Sequence, residues 1–156
     1  MSPRAVVIGV GNEWRGDDGA GIAAARQVGA RLARQVVVHE LDGEPARLLD
    51  AWDGAELAIV IDAVRSGAPA GSVRRIDAAS LESAGTAGSS HGGGIGTAYR
   101  LGRALGRLPQ RLVVLGIEVD ETAHGRVLSA AATEGLSRAA SEAVALVEVV
   151  GAEGRT

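Results

Sequence analysis

The stretch VVIGVGNEWRGDDGAG, residues Val6 to Gly21, decides how the rest of the chain is read. It opens inside an apolar β run, Ala5 to Val10, and breaks at Gly9 and Gly11. A short polar loop leads to two adjacent carboxylates, Asp17 and Asp18, and then to Gly19 and Gly21. Ile22, Ala25, Val28 and Leu32 follow on one helical face, which predicts an amphipathic helix to about Arg34. Asp17 is predicted to cap that helix, since a carboxylate can accept from the unpaired first-turn N–H groups. Strand, tight loop and acidic helix start, in that order, put Asp17 and Asp18 just beyond the carboxyl end of a buried strand. Open α/β sheets build their sites there.

Outward from that unit the pattern repeats. Val36–Leu41 reads as a second strand, parallel to the first through a right-handed crossover. Pro45 opens a short helix to about Trp52. Leu57–Ile61 is a third, unbroken apolar strand that delivers Asp62 at its end. Gly67, Pro69 and Gly71 turn the chain into Ser72–Ile76. That gap is too short for a parallel crossover, so this strand is predicted to be antiparallel and near an edge. Ala78–Ser83 reads as one helical turn, and Thr86–Gly94, TAGSSHGGG, as a mobile glycine-rich loop. A helix marked by Ile95, Ala98, Leu101, Leu105 and Leu108 stops at Pro109. Arg111–Val119 is the last strand, and Leu136, Ala140, Ala143, Val147 and Val150 mark the last helix. The expected fold is α/β: a three-layer, doubly wound sheet of about five strands, mostly parallel with one antiparallel, helices on both faces. Residues 1–150 make a single domain, and 151–156 a frayed tail.

Composition narrows the function classes. The 156 residues are 46% hydrophobic and 22% charged, as in a globular domain rather than a disordered one. A net charge of −3, with all 16 basic residues Arg and none clustered, gives no reason to expect nucleic acid or an anionic membrane as partner. Zero Cys removes disulfides, thiolate metal sites and a cysteine nucleophile. No secretory leader or membrane-length apolar run is visible, so a cytoplasmic monomer is the expectation.

Three features meet at one end of the predicted sheet: the Asp17–Asp18 pair, Asp62, and His91 in the glycine loop. Strands one and three flank the expected switch point, so two carboxylates and an imidazole can share one crevice. Such nitrogen and oxygen donors suit zinc or nickel. Each residue also has a plainer reading: helix cap for Asp17, helix-dipole partner for Asp18, exposed loop histidine for His91. Asp62 is harder to dismiss, because a carboxylate ending such an apolar strand needs a partner or solvent. His39 and His124 read as structural or exposed. Gly9-Val10-Gly11 begins like a dinucleotide fingerprint, but Trp14 stands at the third glycine and the acidic pair would repel a pyrophosphate. There is no GxSxG elbow for a serine hydrolase.

Five segments, GVGN with GDDGAG, LDG within HELDGEPARLL, IVIDAV, SSHGGGIGTAYRLGRAL and VVLGIEV, together resemble the [NiFe]-hydrogenase maturation endopeptidases over about Val6 to Val119. The resemblance implies removal of a C-terminal extension from a hydrogenase large-subunit precursor after nickel insertion. It assigns the family's metal-binding trio to Asp18, Asp62 and His91, the set reached above from topology. It implies nickel supplied by the substrate and no organic cofactor. Asp17 and Asp42, close by in sequence, are candidate helpers in activating the attacking water. Some members of the family have Glu where this chain has Asp18, though Asp also occurs, and the chain has Glu44 after Asp42-Gly43 where Gly-Thr is common. Two other classes stay open: a nickel-binding checkpoint or chaperone without peptidase activity, and a nucleotide-binding Rossmann-like domain.

Overall fold

The computed structural model describes residues 4–11, 16–77, 80–81, 92–120 and 128–153. Its elements are β1 (Ala5–Val10), a 3-10 turn (Gly16–Gly19), α1 (Ala20–Arg31), β2 (Val37–Leu41), α2 (Pro45–Trp52), β3 (Leu57–Val64), β4 (Val73–Ile76), α3 (Gly92–Leu105), β5 (Arg111–Glu118) and α4 (Ala130–Glu153). The sheet order is β2-β1-β3-β5-β4. Its pairings are parallel except for β4, which runs antiparallel to β5 at the edge, as the short β3–β4 gap requires.

The valine- and isoleucine-rich runs are the central strands. All six residues of β1 are buried, as are the first seven of β3. Side-chain alternation divides them between two layers. On one face Val7, Ile59, Ile61, Leu115 and Ile117 pack with Ala24 and Val28 of α1 and Leu136, Ala140 and Val147 of α4. On the other, Val6, Ile8, Val60 and Val114 pack with Leu48 and Trp52 of α2 and Ile95 and Ala98 of α3. Trp52 is fully buried, and its indole N–H donates to the Arg107 carbonyl at 3.0 Å, so its polar atom costs the core nothing.

The glycines of the opening stretch have a packing reason. A Cβ on Gly21 would lie 2.3 Å from the Ile61 carbonyl oxygen and 2.7 Å from that of Val10. One on Gly9 would lie 2.7 Å from the Gly21 carbonyl oxygen. These glycines let α1 press against the ends of β1 and β3.

Several boundaries differ from the sequence expectation. The segment after the polar loop starts as a 3-10 turn, and Gly19 caps α1 with no side-chain bond. Asp17 is therefore not the cap of α1. β3 continues to Val64 because β5 runs alongside it as far as the Val64–Glu118 pair. Asp62 thus lies within the strand, opposite Gly116, and not at its end. α3 starts at Gly92, so the last three residues of the expected loop are helical. The rest of that loop, with His91, lies outside the described residues. Within the expected turn Ala78–Ser83, Ser80 and Leu81 are helical and the remainder is also outside. α4 runs through Glu153, three residues past the expected end of the domain.

Candidate active site

β1 and β3 are neighbours, with Gly9 opposite Ile61, and β2 leaves β1 on the far side. The crevice at their carboxyl ends is therefore the switch point of the sheet. The 3-10 turn that follows β1 brings Asp18 to it, and the extended end of β3 brings Asp62.

Asp62 is 3% exposed. Burial pushes its carboxyl up to about 8, from an ordinary value near 3.8. The neighbouring Asp18 charge pushes the same way, while a hydrogen bond from the Ala63 N–H and the Arg65 charge oppose it. At neutral pH Asp62 is therefore largely protonated. Asp18 is 13% exposed in its side chain, and its Oδ1 accepts from a guanidinium nitrogen of Arg65 at 2.7 Å. On the Arg65 side lies a cavity of about 280 Å³ lined by Arg65, Gly67, Ala68, Ala70, Glu118, Val119 and Asp120; neither Asp18 nor Asp62 lines it.

The other candidates fall into place as follows. Asp17 is fully buried and spans to the far end of the chain: Oδ1 accepts from the Ser129 N–H and Oδ2 from the Ser129 hydroxyl, both at 2.8 Å. Ser129 in turn accepts from the Ala132 N–H at 3.1 Å, so Asp17 anchors the cap of α4. Asp42 Oδ1 accepts from the Glu44 N–H at 3.0 Å, closing the turn after β2. Glu44 caps α2 by accepting from the N–H groups of Ala46 and Arg47. Its departure from the family pattern thus has a local structural use. His39 sits half-buried in β2 opposite Ile8. His91 and His124 lie outside the described residues. Asp18 and Asp62 are the two predicted metal-binding residues that the structure brings together. Among the described residues no three His, Cys, Asp or Glu side chains are gathered to hold a metal ion.

Three residues of this region were not singled out from sequence: Arg65, Glu118 and Ser129. Glu118 carried a readable signal, for it closes the apolar run VVLGIE just as Asp62 follows LAIVI. Arg65 carried none, lying in a short polar turn; Ser129, between Val127-Leu128 and an alanine run, reads as a helix N-cap, but its partner Asp17 is remote in sequence.

The hydrogenase maturation protease family model, HycI, matches residues 25–146. The chain belongs to that family. It is accordingly a peptidase of hydrogenase maturation. The matched span contains Asp62 and His91. The solved structure titled [NiFe] hydrogenase maturation protease HybD from Thermococcus kodakarensis is 26% identical, covers 92% of this chain and 99% of its own, and has a TM-score of 0.74. Two more structures agree in fold. The E. coli hydrogenase maturating endopeptidase HybD is 23% identical, with 95% and 94% of the two chains covered and a TM-score of 0.73. The [NiFe] hydrogenase maturation protease HycI from Thermococcus kodakarensis KOD1 is 23% identical, with 93% and 92% covered and a TM-score of 0.68. Among curated proteins no relative matches. No helix among the described residues is long and apolar enough to cross a membrane.

Proposed function

We propose that this peptidase removes the C-terminal extension of a [NiFe]-hydrogenase large-subunit precursor after nickel insertion, and that it recognises the nickel the precursor already holds. The observation that supports this reading is Asp62: a carboxyl buried at the switch point, beside Asp18, where the nearby Arg65 charge does not keep it ionised. A carboxyl group held neutral in this way fits an incoming divalent metal, which would displace its proton. Two carboxylates and the imidazole of His91 make an oxygen and nitrogen donor set suited to nickel or zinc, and they leave coordination positions open.

In this reading the metal is part of the substrate. Asp18, Asp62 and His91 complete its coordination, which fixes the precursor on the enzyme. The scissile bond is then held in place, and a bimolecular encounter becomes a positioned one. The metal also supplies a Lewis acid for a carbonyl or a bound water. Arg65 keeps Asp18 in one orientation throughout. Asp17 holds α4 with both carboxylate oxygens on Ser129, whereas Asp42 closes the β2–α2 turn through Oδ1 alone and stays exposed, which leaves Asp42 as the candidate helper in water activation. The enzyme acts as a cytoplasmic monomer and needs no organic cofactor.

The test is mass spectrometry of a nickel-loaded precursor. Loss of the C-terminal peptide is expected with the wild-type chain and not with Asp18→Ala, Asp62→Ala or His91→Ala. Cleavage at the wild-type rate by all three variants would remove the trio from the reaction.

A further inference from the structure

Glu118, at the end of β5, is 1% exposed, and a single turn fills its carboxylate. Oε1 accepts from the N–H groups of Ser66 at 2.6 Å and Gly67 at 2.9 Å, and Oε2 from the Ser66 hydroxyl at 2.8 Å. The backbone is tied to the same segment: the Glu118 N–H donates to the Ser72 carbonyl and the Gly71 N–H to the Glu118 carbonyl, each at 2.8 Å. The turn so held begins where β3 ends, and the residue entering it is Arg65, whose guanidinium reaches Asp18. Burying a carboxylate is costly even when it is well bonded, and an apolar side chain would fill the same volume at lower cost. Asp18, for its part, stands on a four-residue 3-10 turn rather than on a long helix or strand, so its direction depends on a partner.

We infer that Glu118 is a positioning residue of the cleavage site, holding the Ser66–Gly67 turn so that Arg65 meets Asp18 and fixes that carboxylate's direction. The inference rests on the reading of Asp18 as a contact to the substrate's metal. A partner that orients such a group typically carries about 10–100-fold in affinity or rate.

Glu118 and Arg65 act in series, which a double-mutant cycle detects. Glu118→Met fills the volume but accepts nothing. Glu118→Gln keeps an oxygen for the two N–H groups and can donate to the Ser66 hydroxyl, so it restores the turn without the charge. With nickel-loaded precursor, Arg65→Ala and Glu118→Met are each expected to lose about 10–100-fold in kcat/KM. The double variant should lose no more than Arg65→Ala alone, and Glu118→Gln should recover most of the loss. Cadmium calorimetry on the precursor-free chain should rank the variants in the same order. The Arg65 Nε–H resonance should be sharp in wild type and Glu118→Gln and broadened in Glu118→Met. If Glu118→Met does not fold, Ser66→Ala replaces it in the cycle, with a smaller loss that is again absent in the Arg65→Ala background. Losses that multiply in the double variant, or a folded Glu118→Met with wild-type cleavage, overturn the inference. Wild-type cleavage by Asp18→Ala overturns the reading beneath it instead, so the two failures are told apart.

Discussion

Replacing Asp62 by Asn keeps the side chain's shape and removes its proton equilibrium. In the folded chain the carboxyl is pushed up to about 8, against 3.8 for an ordinary aspartate. The unfolded chain therefore releases this proton near pH 4, whereas the folded chain keeps it until about pH 8. Stability from Asp62 is fully present below pH ~4 and is lost as pH rises through the folded value. Each unit is worth ~1.4 kcal/mol, so at pH 7, about three units above the unfolded value, the ceiling on the loss is about 4 kcal/mol. The Asp62→Asn variant has no such loss. Urea unfolding of both proteins from pH 4 to 9 should show the variant gaining on wild type by up to ~1.4 kcal/mol per pH unit, with a plateau above about pH 8. With a urea m-value of about 2 kcal/mol per molar, the midpoints should separate by up to roughly 2 M between pH 4 and pH 7. A difference that stays flat from pH 5 to 8 would refute the reasoning, since it would mean that folded and unfolded Asp62 ionise alike.

Other perturbations test other parts of the account. Divalent nickel, zinc or cadmium should bind one per chain, releasing a proton at neutral pH and weakening as pH falls, because Asp62 and His91 must both be deprotonated to ligate; calorimetry that cannot tell His91→Ala from wild type would remove that histidine. Asp17→Ala removes the buried acceptor of the half-buried Ser129 N–H and hydroxyl and should cost about 1–2 kcal/mol in urea unfolding; an unchanged midpoint would show that α4 does not depend on this anchor. Gly21→Ala puts a methyl 2.3 Å from the Ile61 carbonyl oxygen and should cost ~3 kcal/mol or prevent folding; a melting temperature within a degree of wild type would mean that α1 can lift off the sheet freely.

The sheet was legible because its central strands are unbroken apolar runs of four to eight residues, and such runs can only be buried on both faces. The antiparallel edge was legible from a gap too short to cross over. Asp62 stood out because a charge beside LAIVI demands an explanation wherever the strand ends. What sequence missed is long-range. The donor that satisfies Asp17 is Ser129, 112 residues away, and nothing local to Asp17 distinguishes that bond from a helix cap. Glu118 binds a turn about 50 residues upstream, and only the β3–β5 register brings the two together. The opening glycines were readable as special, but their use became clear only with Ile61 and Val10 in place against them.

The central claim is that cleavage depends on metal carried by the precursor and not on metal resident in the enzyme. It is tested most directly by crossing metal-stripped or nickel-loaded enzyme with metal-free or nickel-loaded precursor and following release of the C-terminal peptide. Stripped and loaded enzyme alike should cleave the loaded precursor, and neither should cleave the metal-free one. Stripped enzyme that fails on loaded precursor, or loaded enzyme that cuts the empty one, would contradict it and make this chain an ordinary metallopeptidase.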